Sequence, residues 1–336
     1  MSWVGLINCI VVVSWGYSAF PPAASSPSMN PQLSSTSPAL LEATPSMSRV
    51  WWLALRPKTL IASVAPTLLG WAFASSEGNW RPVPAFTFLI GFVLMQIVSN
   101  LVNDYADFER GADTDARLGP ARVTQKGWLS AREVANAAAL AFTGSFLALL
   151  FLTWEGSWPV FAGGAFCLAG AVLYSAGPVP LGYLGLGDVL VLLIFGLSGV
   201  CGSYVVLSQQ VTREVALAGL SMGLIASGIL AVNNLRDRHT DRVVGKNTLV
   251  VRFGRRFGQW EYTLVVGGAF LLPGLAWLLL PEHRLGSLLT LGGLPLAVRE
   301  IRAIWTEDGG ALNPHLGKTA GLGLVFCLLM SAGFLL

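Results

Sequence analysis

Charge is what this sequence has least of. Only 12% of its 336 residues are Asp, Glu, Lys or Arg, roughly half the usual share for a soluble enzyme. The length alone would allow two soluble domains, but this deficit, with 54% hydrophobic residues, argues for one polytopic membrane domain. Cysteine is scarce too. Cys9, Cys167, Cys201 and Cys327 are scattered through apolar segments, without metal-ligand spacing, which argues against a disulfide framework. The three histidines, His239, His283 and His315, stand too far apart to suggest a zinc site. The apolar segments lack the period-two alternation of an outer-membrane barrel. A bilayer cannot hydrogen-bond bare backbone, so they must be helices.

What is present is a series of apolar runs. A helix crossing a bilayer needs about 20 mostly apolar residues. Nine candidates lie near 60–76, 84–103, 131–153, 158–178, 186–207, 213–234, 262–280, 285–303 and 318–336. The expected fold is all-α, a membrane bundle of about nine transmembrane helices around a central cavity.

The basic residues give an independent test. Numbering the connections between the nine runs, Arg49, Arg56 and Lys58 precede the first. Arg110, Arg117, Arg122, Lys126 and Arg132 follow the second. Arg236, Arg238, Arg242, Lys246, Arg252, Arg255 and Arg256 follow the sixth, and Arg299, Arg302 and Lys318 follow the eighth. Of 21 basic residues only Arg81, Arg213 and Arg284 fall on the other side. The asymmetry fits the positive-inside rule and places the N-terminal flank in the cytoplasm.

Residues 1–48 stand outside this pattern. An apolar stretch over 3–20 has no basic residue before it, unlike a signal peptide. Residues 21–48 are rich in Pro, Ser and Ala, as a tether is. The expectation is an N-terminal extension over 1–48, dispensable or preceding a later start at Met47, and a transmembrane domain over 49–336.

Two acidic clusters follow apolar runs directly. The first runs from Asn103 through Asp104, Asp107 and Asp113. The second contains Asn233, Asn234, Asp237 and Asp241. A carboxylate at the centre of a membrane helix costs about 2.5–3.5 kcal/mol, and less toward its end. Asp104 and Asp107 are three apart, and Asp237 and Asp241 four apart, so each pair shares a helix face. Charges flanking a span are commonplace, and one such loop would carry little. Two with the same layout, on the same side, suggest an internal duplication and a shared site. Mg2+ uses octahedral oxygen ligands, a few carboxylates together with substrate phosphates, so the pairs suit metal ions bridged by a diphosphate. Asp113 follows Gly111 and falls where the helix has ended. Lys58, Arg117, Arg122, Lys126, Lys246 and Arg252 are candidates for the remaining diphosphate charge. Tyr174 begins a Gly- and Pro-rich connection, and its ring face suits contact with a developing cation.

Several stretches together carry a resemblance: Leu55-Arg56-Pro57-Lys58-Thr59-Leu60, Asn103-Asp104-x-x-Asp107-x-x-x-Gly111-x-Asp113, Leu118-Gly119-Pro120 and Gln125-Lys126-Gly127. To these add Tyr183-x-Gly185-Leu186-Gly187-Asp188, Asn233-Asn234-Leu235-Arg236-Asp237 through Asp241, Gly245-Lys246-Asn247-Thr248-Leu249 and Arg252-Phe253-Gly254. Over about 50–336 the chain resembles the UbiA superfamily of intramembrane aromatic prenyltransferases. Within it, the chain is most similar to the branch acting on 1,4-dihydroxy-2-naphthoate in menaquinone synthesis. Leu118 stands where that branch is expected to have Ile. The resemblance implies a nine-helix bundle around a cavity open to cytoplasm and lipid, in the cell inner (plasma) membrane. It implies transfer of a prenyl chain from a polyprenyl diphosphate to 1,4-dihydroxy-2-naphthoate, with loss of carbon dioxide and diphosphate, and no nucleic-acid partner. It implies metal and diphosphate roles for Asp104, Asp107, Asp237 and Asp241, with Asn103 and Asn234 beside them. Two other readings stay open: a transporter of a divalent cation or anionic metabolite, and a prenyltransferase for another aromatic acceptor.

Overall fold

A computed structural model describes residues 45–112, 117–156, 158–279 and 285–335. Of the extension expected over 1–48, residues 1–44 lie outside the described residues, as does Asp113, while Met47 and Ser48 already belong to the first helix. Every regular element among them is helical. The chain runs α1 Met47–Leu55, α2 Pro57–Ser76, α3 Pro82–Glu109, α4 Ala131–Glu155 and α5 Trp158–Leu173. A short 3-10 turn, Leu181–Leu184, leads into α6, Gly187–Ser208. Then come α7 Arg213–Val243, α8 Leu249–Phe253 and α9 Arg255–Leu279. A 3-10 stretch, Leu285–Gly293, precedes α10 Leu294–Thr306, and α11 Asn313–Leu335 closes the bundle.

The local sequence explains the helix starts. Pro57 and Pro82 open α2 and α3 at the position where a missing N–H costs nothing. Ser130 and Glu133 form a reciprocal capping box on α4. Thr212 and Thr248 cap α7 and α8 by accepting the N–H of Val215 and Val251.

Among the described residues, seven segments are long and apolar enough to cross a membrane: α2, α3, α4, α6, α7, α9, and α11 together with the turn before it. The count of nine expected from the sequence includes two segments built differently. Helix α5 has 16 residues, roughly 24 Å at 1.5 Å per residue, less than the ~30 Å of a hydrocarbon core. The 285–303 run is a 3-10 stretch followed by a 13-residue helix. Gly286 explains the change: a Cβ there would stand 1.8 Å from the Gly333 carbonyl oxygen, so the stretch lies directly on α11.

Small residues also set the centre of the bundle. A Cβ on Gly196, in a π-helical turn of α6, would come within 2.4 Å of Gly223 Cα on α7. With Gly219 this makes a small-xxx-small contact that lets two backbones touch in lipid. An apolar cavity lies between α2, α7 and α11, lined by Ile61, Ala65, Met222, Ile229 and Gly323 among others. Ile229 is four residues, about one turn, from Asn233. Polar contacts gather at the two ends. Arg81–Glu155 and Tyr204–Glu77 mark one end. At the other end Arg56 meets Asn103, Arg236 meets Asn313 and Gln259 meets the Ile304 carbonyl.

Candidate functional site

The second end holds both acidic clusters. Asn103 sits on the last turns of α3 and spans the first cluster. Its Nδ2 donates to Asp107 Oδ2 and to Ser175 Oγ, each at 2.9 Å. Its Oδ1 accepts from Arg56 at 3.3 Å and from Arg122. Arg122 Nη2 also pairs with Asp107 Oδ2 at 3.0 Å. Arg122 is buried, so this ion pair is shielded from water, and its Coulomb attraction is larger than at a surface. Tyr183 donates to the other Asp107 oxygen at 3.5 Å, while Arg110 stacks 5.5 Å from the Tyr183 ring centre. Burial first, and Asp107 second, push the Tyr183 phenol up to about 12.

Asp104 turns the other way. It is 2% exposed. One oxygen accepts the Thr124 hydroxyl and the other the Val123 N–H at 3.3 Å. Asp104 thereby pins the 117–129 loop onto α3, with Arg122 one residue before the anchor.

In the second cluster, Arg236 grips Asp237 with both arms of its fork, at 2.7 and 2.5 Å. Asp241 pairs with Lys246 at 3.4 Å. Lys246 is the junction of the site, within electrostatic reach of Asp107 on α3 and of Asp237 and Asp241 on α7. Burial alone would lower its pKa, but Asp241, Tyr174, Asp107 and Asp237 outweigh it and hold the ammonium above the usual lysine range. Asp107 and Asp241 also feel each other directly. Tyr174 lies in the same field, beside Lys246, Asp241 and Asp107. Its ring packs closely against two glycines. A Cβ on Gly182 or Gly187 would stand 3.1 Å from ring carbons. The loop bearing Lys246 is held to the 181–184 turn by the Asn247 N–H donating to the Tyr183 carbonyl at 3.0 Å.

The structure therefore brings together Asn103, Asp107, Arg122, Tyr174, Asp237, Asp241 and Lys246, with Arg117 inside the field of Asp107. Lys58 and Lys126 are exposed and hydrogen-bond none of these carboxylates. Arg252 donates to the Leu184 carbonyl at 2.9 Å and serves the loop framework. Arg56, Arg110, Ser175, Tyr183 and Arg236 were not singled out as candidates from the sequence. Arg56, Tyr183 and Arg236 stand in the stretches carrying the resemblance.

The donor set suits a hard cation such as Mg2+. Asn234 Oδ1 is a buried oxygen that accepts no hydrogen bond, and Asp241 Oδ2 has only the Lys246 ammonium beside it at 3.4 Å. Among the described residues no three His, Cys, Asp or Glu side chains converge tightly enough to enclose an ion alone. Mg2+ commonly takes a few protein carboxylates together with substrate phosphates.

Comparison with known proteins gives the family and the fold. Residues 63–333 match the UbiA prenyltransferase family. The chain is 35% identical over 298 residues to 1,4-dihydroxy-2-naphthoate octaprenyltransferase of Escherichia coli, covering 87% of this chain and 96% of that protein. It is 33% identical over 301 residues to the protein of the same description from Haemophilus influenzae, covering 86% and 96%. Among solved structures it resembles a UbiA homolog from Archaeoglobus fulgidus bound to DMAPP and Mg2+. There the TM-score is 0.62 at 16% identity, over 84% of this chain and 97% of that one.

Proposed function

Because the chain belongs to the UbiA prenyltransferase family, we propose that it transfers a polyprenyl chain from a polyprenyl diphosphate to 1,4-dihydroxy-2-naphthoate. Carbon dioxide and diphosphate leave, and demethylmenaquinol forms. The observation that carries this reading is the convergence of carboxylates from two separate membrane helices on Lys246. The names of the Escherichia coli and Haemophilus influenzae relatives support the acceptor.

Asp107, Asp237 and Asp241, with the Asn234 side-chain oxygen, are the residues that would hold Mg2+. When bound, Mg2+ supplies positive charge against the diphosphate as the allylic C–O bond breaks. Lys246, partly buried beside Asp241, and Arg122, buried against Asp107, add fixed positive charge beside the leaving group. Asp104 acts through the loop it anchors, fixing where Arg122 sits. Tyr174, in the field of Lys246, Asp241 and Asp107, is the ring that would contact the developing allylic cation. Water must be kept from the cation, and the apolar helix faces of the bundle core below the site serve this. Arg117 and Lys126, on the 117–129 loop, meet the carboxylate of the aromatic acceptor. The site faces the cytoplasm from the inner membrane, on the side where basic residues gather. The placement of the carboxylates at one end of the bundle disfavours the transport reading, since transporters bind near the midplane.

The test is an assay of purified protein with one labelled polyprenyl diphosphate and competing aromatic acids. The expected product comes from 1,4-dihydroxy-2-naphthoate alone and disappears with chelator. Equal turnover in excess chelator would sink the metal scheme. Preference for 4-hydroxybenzoate would sink the acceptor.

A further inference from the structure

Arg236 is 1% exposed, yet the chemistry above gives it no task. It precedes Asp237 directly. Successive side chains leave a helix about 100° apart, so sequence neighbours do not ordinarily meet. Here the guanidinium curls back onto its neighbour, Nε donating to Asp237 Oδ1 at 2.7 Å and Nη2 to Oδ2 at 2.5 Å. Nη2 also donates to Asn233 Oδ1 at 2.7 Å, and Nη1 to Asn313 Oδ1 at 3.0 Å. Asn313 in turn donates through Nδ2 to the Leu118 carbonyl at 2.8 Å. Gly119 leaves room for the arrangement. A Cβ there would stand 2.9 Å from Arg236 Nη2 and 3.2 Å from its Cζ.

These contacts decide between two uses of a buried arginine. One that grips a diphosphate must aim its N–H groups at substrate. All three nitrogens of Arg236 are instead engaged by protein oxygens. A carboxylate offers about four acceptor positions on two oxygens. The fork takes one on each oxygen of Asp237 and leaves the others for a cation. We propose that Arg236 is a positioning residue. It fixes the orientation of the Asp237 carboxylate and, through Asn313 and Leu118, ties the second acidic cluster to the loop that serves the first. Both clusters are then presented in register to a metal diphosphate. The inference rests on the site reading given above. Lysine cannot substitute, because an ammonium is a point charge without a fork.

The experiment measures Mn2+-dependent binding of an unreactive prenyl thiodiphosphate by calorimetry. It uses full-length protein in nanodiscs: wild type, Arg236→Lys, Gly119→Ala and Asn313→Ala. Thermal unfolding is followed for each. Groups that orient metal ligands are typically worth 10–100-fold in metal affinity. Arg236→Lys is therefore expected to need about 10–100-fold more Mn2+ for half-saturation, at an unfolding temperature near wild type. Gly119→Ala and Asn313→Ala, which leave every charge in place, are expected to shift it the same way by less. In turnover, apparent KM should move more than kcat. Wild-type metal dependence in a folded Arg236→Lys protein would overturn the positioning role. Should that variant fail to fold, the other two decide, a shift supporting the role and an unchanged metal requirement overturning it. If the wild type shows no metal-dependent binding, the site reading itself fails, which is a separate outcome.

Discussion

The ends of α3 and α7 carry nearly the same letters and use them differently. On α3 the aspartates are three apart, which turns them about 60° from each other around the axis. Asp104 faces the loop and is absorbed into holding it, while Asp107 faces Arg122, Tyr183 and the field of Lys246. On α7 the spacing of four leaves only about 40°, and both carboxylates stay with the site, Asp237 in the grip of Arg236 and Asp241 beside Lys246. One residue of spacing thus separates an end that yields one carboxylate and one anchor from an end that yields two carboxylates. The apparent duplication is one of layout. The counter-charge for Asp107 on α3 comes mostly from residues distant in sequence, Lys246, Arg117, Arg56 and Arg122, whereas the ion pairs of α7 are made within five residues, Asp237 with Arg236 and Asp241 with Lys246.

Charge removal breaks the comparison most severely. Asp107→Asn and Asp241→Asn keep the side-chain shape and are expected to cost about 10²–10³-fold in kcat/KM, the usual range for deleting one preorganised electrostatic group. Unfolding temperature should barely move. Asp104→Ala should behave in the opposite way. It strands the Val123 N–H and the Thr124 hydroxyl, each worth about 1–3 kcal/mol when left unsatisfied in the interior, so thermal stability should fall clearly. Metal binding by whatever protein remains folded should be closer to normal. An Asp104→Ala protein of full stability that binds no metal would reverse the assignment of anchor and ligand.

A substitution at the junction tests whether the two ends form one site. Lys246→Met keeps the bulk of the side chain and removes the cation shared by Asp107, Asp237 and Asp241. Apparent KM for the prenyl diphosphate is expected to rise about tenfold, equivalent to about 1.4 kcal/mol. No change would mean that Lys246 serves only the loop. Tyr183→Phe deletes a single 3.5 Å hydrogen bond to Asp107. About 0.5–1.5 kcal/mol is typical for such a bond, which implies a few-fold loss of turnover.

These residues also show what the sequence can and cannot say. Helical class and the one-sided basic residues were legible because they depend on composition and on the order of apolar runs. The paired aspartates were legible because helical periodicity alone puts them on a face. The direction a face points was not. Nothing in the letters says that Asp104 meets Thr124 while Asp107 meets Tyr183, since both contacts close over long stretches of chain. Arg236 was counted among the flanking basic residues, yet it is buried and spent on its neighbour. Lys58 and Lys126 were candidates because they lie near the motifs, and both side chains are exposed and hydrogen-bond none of the site carboxylates. The run at 285–303 looked like an ordinary helix. The backbone contact of Gly286 with Gly333, which tightens it, belongs to tertiary packing.

The smallest expected effect concerns pH, and it follows from two groups of the junction holding their protons more tightly when folded. Lys246 titrates above the usual lysine range, because the surrounding carboxylates outweigh its burial. Tyr183 is pushed up to about 12 by burial and Asp107. In the unfolded chain such groups titrate near 10.4 and 10. Below about pH 10 both states are protonated and the stabilisation is complete. As pH rises further, the unfolded chain releases protons that the folded protein keeps, so these groups lower stability progressively until they titrate in the folded state as well. Other tyrosines and lysines contribute to the same decline, so a comparison with variants is needed to isolate the pair. Unfolding temperature in detergent should fall between pH 9.5 and 11 less steeply for Lys246→Met than for wild type, and by a smaller margin for Tyr183→Phe. Identical slopes in wild type and Lys246→Met would mean that the ammonium is not held between the two acidic helix ends, and the single-site picture would lose its junction.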